Sequence, residues 1–348
     1  MEKGSEKSKY YDLRSDTVTM PSREMRRAMS KADVGDDVYE EDPTLKKLEE
    51  HAARITGKRD ALFVPSGSMG NLIPLYINCG RGNEVLSQKN SHIFHYELSS
   101  AATIAGVTPV AVEGERGVLT PEELEKHLRP ESNLMPRVKM VEAENTHNRE
   151  GGTCYTYEEL RAVSDFARKN DLSLHLDGAR IFNASIATGV TVKRLASCAD
   201  TITFCLSKGL GAPVGSVLCG SSRFIEEARR VRKMLGAGMR QAGVLGAAGL
   251  YALKNNVSRL EQDHTNARKI ADTLAHTGWA EIDPGKVETN IIYFNTAGVD
   301  AQQVAGALKK RNVLCGPFGS HSIRMVTHLG ISKEDTDAVC SIISELKF

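Results

Sequence analysis

The sequence predicts an α/β protein: a large three-layer α/β/α domain on a mostly parallel sheet, followed by a small C-terminal α+β domain. Two observations predict it. Short apolar runs ("ALFVPSG", "EVLS", "TPVAVE", "VKMVEAEN", "LSLHLDG", "TITFCLSKG" and "GSVLCG") are separated by amphipathic helical patterns, and strands buried on both faces under helices read this way. After a long helical region, about 241–275, the pattern changes to "TNIIYFNT", a helix over Ala301–Arg311, "SIRMVTH" and a last helix to Phe348. The expected division is a frayed tail over 1–12, a large domain over 13–250 and a small one over 251–348. With no repeat and no low-complexity linker, the two domains are expected to pack tightly.

The elements follow in order. The charged start "MEKGSEKSKYYD" lacks the apolar stretch of a secretory signal. Pro21–Lys31 and Thr44–Thr56 carry helical periodicity, the second stopped by Gly57. In "TPEELEKHL", Thr120, Pro121 and Glu123 take the N-cap, N1 and N3 places of a capping box. "AGVLGAAGLYAL" (242–253) is too short to span a bilayer and lies between Arg240 and Lys254; it predicts a buried helix whose small residues make close contacts.

Composition narrows the function. The 348 residues hold 45 basic and 44 acidic side chains, a net charge of +1, so no overall field favours nucleic acid or a membrane surface. A small-molecule substrate is the expectation. Seven cysteines, an odd number without a C-x-x-C pair, suit reduced thiols and a cytoplasmic setting better than disulfides or a zinc site.

Three groups carry the chemistry. Lys208 sits at the exit of the strand in "TFCLSKGLGAPVGS"; taken alone it reads as a stem packed on apolar surface with its ammonium in water, or as an amine that attacks a carbonyl. Asp177 ends the strand of "LSLHLDGARIF", where open α/β sheets bind ligands; alone it reads equally as a helix cap. A carboxylate beside a pyridine nitrogen keeps that nitrogen protonated, which an electron-sink cofactor needs. In "FVPSGSMGN" a strand passes through Gly67 and Ser68 into a helix whose free amides suit a phosphate. In that chain order the three describe a pyridoxal 5'-phosphate site.

These segments, with "DLRSDTVTMP", "VGDDVYEEDPT", "SHIFHYE", "ENTHN", "RKMLGAGMRQAGVL" and "IRMVTHL", resemble the L-threonine aldolases of low specificity, fold-type I pyridoxal phosphate enzymes of the aspartate aminotransferase-like superfamily. The likeness runs through nearly all of the chain from Asp12. It implies that Lys208 bonds the cofactor carbonyl, that Asp177 meets its ring nitrogen, and that Gly67, Ser68 and Met69 cradle its phosphate. Arg180 and Arg324 would grip the substrate carboxylate with help from Ser15, Arg180 also touching the cofactor. His92 would stack on the ring and is one candidate for the base at the substrate hydroxyl; a water or the cofactor phosphate are the others. Tyr39, Lys233 and Arg240 would serve a neighbouring subunit, so a dimer or tetramer with shared sites is implied. The implied reaction splits L-threonine, L-allo-threonine and related β-hydroxy-α-amino acids into glycine and an aldehyde. A β-eliminating lyase or aminotransferase on the same fold is the alternative.

The H-x-x-H spacing of His92 and His95 lacks a third ligand cluster, so no metal is expected, and His95 and Glu97 read as supporting or surface groups. Two departures stand out. Where the family pattern has "YGEDP" this chain has "YEEDP", with Glu40 for glycine. Leu134 stands in "NLMPR" where some members of the family carry a histidine, which the resemblance places against the substrate hydroxyl.

Overall fold

The computed structural model describes residues 10–348. Seven strands form the main sheet: β1 (Asp60–Val64), β2 (Glu84–Gln88), β3 (Thr108–Val112), β4 (Val138–Glu144), β5 (Ser173–Asp177), β6 (Thr201–Cys205) and β7 (Ser216–Gly220). Their spatial order is β1-β7-β6-β5-β4-β2-β3. Within this sheet β7 alone runs antiparallel to its neighbours, while β2 to β6 pair in parallel. All five residues of β6 and of β7 are buried, as expected of runs read as covered on both faces. β5 and β6 are adjacent, with Asp177 level with Thr203. That register sets Asp177 and the segment leading to Lys208 at adjoining edges of the sheet.

Helices α1 (Arg23–Ser30) and α2 (Pro43–Thr56) fall where the periodicity put them, and Gly57 closes α2 at φ 71°. The Thr120 start forms half of the expected motif: its hydroxyl accepts from the Glu123 amide at 3.3 Å, but the Glu123 carboxylate turns to Lys126 at 2.5 Å. The helical stretch 241–275 is two helices, α3 (Gly243–Asn255) and α4 (Leu260–Ala275). The break falls at Asn256, whose side chain leaves the helix pattern to donate to the Leu210 carbonyl at 2.8 Å. The small residues of α3 make close contacts, for a Cβ on Gly249 would lie 2.9 Å from Leu206 and 3.0 Å from Leu48.

The small sheet is antiparallel: β8 (Ala280–Glu281), β9 (Ile291–Thr296), β10 (Gly316–Pro317) and β11 (Ser322–Val326) stand in the order β10-β11-β9-β8. Of the tail expected over 1–12, residues 1–9 lie outside the described residues. Tyr11 and Asp12 are not frayed: they pair in parallel with Val313 and Leu314. Leu13 is fully buried in the small-domain core with Trp279, Phe294 and Met325. Burying one such side chain is worth about 1.5–3 kcal/mol, which ties the start of the chain to its far end. The pattern at 11–13 is too short for periodicity to reveal this. Among the described residues no helix is long and apolar enough to cross a membrane.

Glu40 occupies the left-handed region at φ 58°, ψ 36°, a conformation that glycine adopts freely and an L-residue at a cost of roughly 1–2 kcal/mol. Its carboxylate recovers little, lying 3.7 Å from Arg229 with the side chain 61% exposed. After the greater entropy loss of glycine on folding, Glu40→Gly is expected to stabilise the protein by about 0.5–1 kcal/mol. Denaturant unfolding measures this as a higher midpoint at unchanged slope.

Candidate active site

Gly67, Asn71, His92, Glu144, Asn148, Asp177, Ala179, Arg180 and Lys208 line one cleft at the carboxyl edge of β4, β5 and β6. The structure therefore brings the lysine and the acid into a common cavity. The Lys208 loop is pinned from two sides, its carbonyl accepting from Gly211 N at 2.8 Å and from Thr19 Oγ1 at 3.1 Å. The second bond comes from the N-terminal segment, which crosses the site.

Asp177 is buried, and burial alone would push its carboxyl up. The charges of His92 and Lys208, with hydrogen bonds from Ala179 N at 2.9 Å and Asn71 Nδ2 at 2.7 Å, hold it below the usual carboxylate range. It is thus an anion at neutral pH. His92 has the opposite balance: burial disfavours its cation, but the hydrogen bond to Glu97 and the carboxylates of Asp177, Glu97 and Glu144 raise it above the ordinary imidazole value. Glu97 is not a surface group. It is 5% exposed and meets His92 Nδ1 at 2.7 Å. His95 turns away to the Lys89 carbonyl at 3.0 Å.

The two arginines meet at Asn148, whose Oδ1 accepts from Arg324 Nη1 at 2.9 Å and lies 3.4 Å from Arg180 Nη1. Arg180 is otherwise engaged in a buried bidentate pair with Asp16, at 2.7 and 2.8 Å. Of the two, Arg324 is the less committed. Its Nε is buried without a partner, Nη2 reaches only the Arg14 carbonyl at 3.2 Å, and burial followed by the charge of Arg180 lowers its pKa to about 10. Two guanidiniums facing one internal carboxylate leave a cationic pocket that suits an incoming anion. Ser15 stands next to this pair and caps the turn Asp16–Val18, accepting from Thr17 N at 3.2 Å.

The strand-helix turn after β1 offers an anion cradle. Ser66 caps the helix Gly67–Pro74 by accepting from Met69 N at 3.2 Å, so of the three expected donors Met69 already has a partner. The amides of Gly67 and Ser68 begin the helix without acceptors inside it. Gly67 leaves room there, since a Cβ would come within 3.0 Å of Cys205 Sγ. Thr203 Oγ1 and Ser216 Oγ beside this turn are buried without partners. A free-amide cradle, a buried anionic acid and a lysine in one cleft fit pyridoxal phosphate.

His92, Glu97 and Asp177 also bring ligand-capable atoms within 4.8 Å of one another; Asn71 donates to Asp177 Oδ2 and to Glu97 Oε1, which also meets His92 Nδ1, while Glu97 Oε2 is buried without a partner. The remaining expected residues are elsewhere. Tyr39 is 71% exposed, Lys233 lines a separate groove with Val38 and Met234, and Arg240 pairs with Asp36 at 2.9 Å. Leu134 is 92% exposed, outside the cleft lining. Sequence reasoning did not single out Asp16, Asn71 and Asn148, although they lie inside "DLRSDTVTMP", "FVPSGSMGN" and "ENTHN"; motif membership was the signal, and only contact picks out the residue.

The sheet order and the acid and amine at adjoining strand ends define the aspartate aminotransferase-like class of fold. The threonine aldolase of Leishmania major superposes with a TM-score of 0.81 at 21% identity, covering 96% of this chain and 98% of that one, a likeness of fold. Residues 12–297 match the β-eliminating lyase family. The chain is 44% identical over 341 residues to low-specificity L-threonine aldolase 1 of Arabidopsis thaliana, covering 96% of this chain and 95% of that one. To the low specificity L-threonine aldolase of Escherichia coli K12 it is 42% identical over 331 residues, covering 95% and 97%. The chain belongs to the β-eliminating lyase family and, within it, to the low-specificity L-threonine aldolases.

Because the Glu97 carboxylate favours the His92 cation, neutralising it weakens proton binding. In Glu97→Gln the titration midpoint of His92, followed by histidine NMR, is expected to fall to lower pH than in the unaltered chain.

Proposed function

We infer that the protein is a pyridoxal phosphate-dependent lyase that cleaves L-threonine and related β-hydroxy-α-amino acids to glycine and an aldehyde. The observation that carries this is the cleft shared by Lys208, Asp177, His92 and Arg180, with Arg324 bonded to Asn148 of its lining. Bound there, pyridoxal phosphate supplies an electron sink for the substrate α-carbon. Lys208 would hold its carbonyl carbon, Asp177 its ring nitrogen, and the amides of Gly67 and Ser68 its phosphate.

The other steps belong to residues of the chain. Arg324 and Arg180 take the substrate carboxylate, which supplies the negative charge that this pocket lacks, and so orient the bond from Cα to Cβ. In its neutral form His92 keeps the Nδ1 proton toward Glu97, which leaves Nε2 as the nitrogen that accepts the β-hydroxyl proton. The Cα–Cβ bond breaks, acetaldehyde leaves, and a proton returned to Cα gives glycine. Exposed Tyr39 and Met234 beside the groove of Lys233 support a homo-oligomer, in which Tyr39, Lys233 and Arg240 serve the neighbouring site. The balanced charge and seven free cysteines support a cytoplasmic enzyme.

Adding pyridoxal phosphate is expected to turn the protein yellow, and Lys208→Ala to lose that colour. L-threonine should then yield acetaldehyde and glycine in equal amounts; 2-oxobutanoate with ammonia would instead establish the β-eliminating reading. Arg324→Lys removes the planar fork while keeping the charge, and is expected to raise KM for L-threonine ten- to a hundredfold, a loss of about 1.5–3 kcal/mol in binding.

A further inference from the structure

Asn71 stands at the centre of a buried hydrogen-bonded chain that the reaction as described does not use. It is 2% exposed, and its Nδ2 donates both hydrogens to carboxylates: Asp177 Oδ2 at 2.7 Å and Glu97 Oε1 at 2.9 Å. Because Asp177 is held ionised and can only accept, the amide can point only one way. Its Oδ1 must then accept, and it lies 3.2 Å from His175 Nε2. His175 is fully buried, and burial lowers its pKa to about 4, so it is neutral with a single ring proton. That proton sits on Nε2, leaving Nδ1 to accept from Thr201 Oγ1 at 2.9 Å. The same Glu97 Oε1 faces His92 Nδ1 at 2.7 Å. An uninterrupted line thus runs from Thr201 through His175 and Asn71, forking to Asp177 and to the Glu97–His92 pair.

We propose that Asn71 is a positioning residue that clamps the Asp177 carboxylate and the Glu97–His92 pair into one unit, with His175 fixing the orientation of the clamp. Two carboxylates this close repel; the Asn71 amide between them supplies a hydrogen to each and holds both in place. The groups facing His92 are Glu97, Asp177 and Glu144, and those facing Asp177 are His92, Lys208, Glu97, Glu142 and His175. Releasing the clamp lets Asp177 and Glu97 turn independently, so the ring nitrogen loses a fixed partner and His92 loses a fixed proton acceptor.

The consequence for cofactor binding rests on the function inferred above; the consequence for His92 does not. Asn71→Leu keeps the size of the side chain and removes every hydrogen bond, whereas Asn71→Ser retains one donor. In the full chain without added cofactor, histidine NMR is expected to show the His92 titration displaced in both variants, more in Asn71→Leu. In equilibrium dialysis with pyridoxal phosphate the dissociation constant is expected to rise about tenfold or more in Asn71→Leu and less in Asn71→Ser. His175→Phe, which leaves Asn71 in place but frees its carbonyl end, is expected to move both quantities in the same direction. If one variant does not fold, the other two decide. An unchanged His92 titration in every folded variant overturns the clamp, even where the melting temperature falls. Failure of the wild-type chain to bind pyridoxal phosphate overturns the function inferred above, and the NMR titration then decides the clamp by itself.

Discussion

A carboxylate buried at the edge of a sheet and kept ionised is the constraint around which this protein is organised. Asp177 cannot carry its charge there unaided, because desolvation favours the neutral acid. Each group that offsets that cost comes from a different part of the chain: the Ala179 amide from the turn after β5, Asn71 from the helix after β1, His92 from the segment after β2, and Lys208 from the loop after β6. The parallel order β6-β5-β4 is what delivers these segments to one place, since successive strands release their loops at the same edge. The cleft is in this sense the solution to an electrostatic problem that the sheet creates.

A second buried charge joins the two domains. Asp16 is fully buried and is held far below the usual carboxylate range, burial being outweighed by the paired charge and hydrogen bonds of Arg180. Asn290, ahead of β9, adds a contact at 3.4 Å. The first residues of the fold, the large sheet and the small domain thus meet at one ion pair. Removing one partner of such a pair strands the other and costs about 3–5 kcal/mol. Arg324 reaches the same place from β11, bonding Asn148 at 2.9 Å, so both sheets contribute a guanidinium to this region.

Much of the architecture was legible because its causes are local. The runs later seen as β1 to β7 were bounded by turn residues and broken by helical periodicity, and Gly57 marked the end of α2 in the conformation its lack of a side chain permits. Lys208 and Asp177 could be singled out because strand ends are where such sheets place chemistry. Other features had non-local causes. Glu97 read as either a supporting or a surface group, and only the fold decides for the first, as the buried partner of His92. The first residues of the fold looked like the end of a charged tail, yet Leu13 fills the small-domain core. The stretch 241–275 read as one helical region and is interrupted where Asn256 answers the Leu210 carbonyl.

The sequence by itself determined which stretches become strands and helices and which residue types are present for acid, amine and anion-binding roles, because periodicity and capping act within a few residues. Only the tertiary structure decided which of those residues share a cavity and how each is protonated. Asn71 and Asp177 are 106 positions apart, and Asp16 and Arg180 are 164 apart. Burial and hydrogen bonding at such separations exist only after the sheet has closed, and they set the charge on each group.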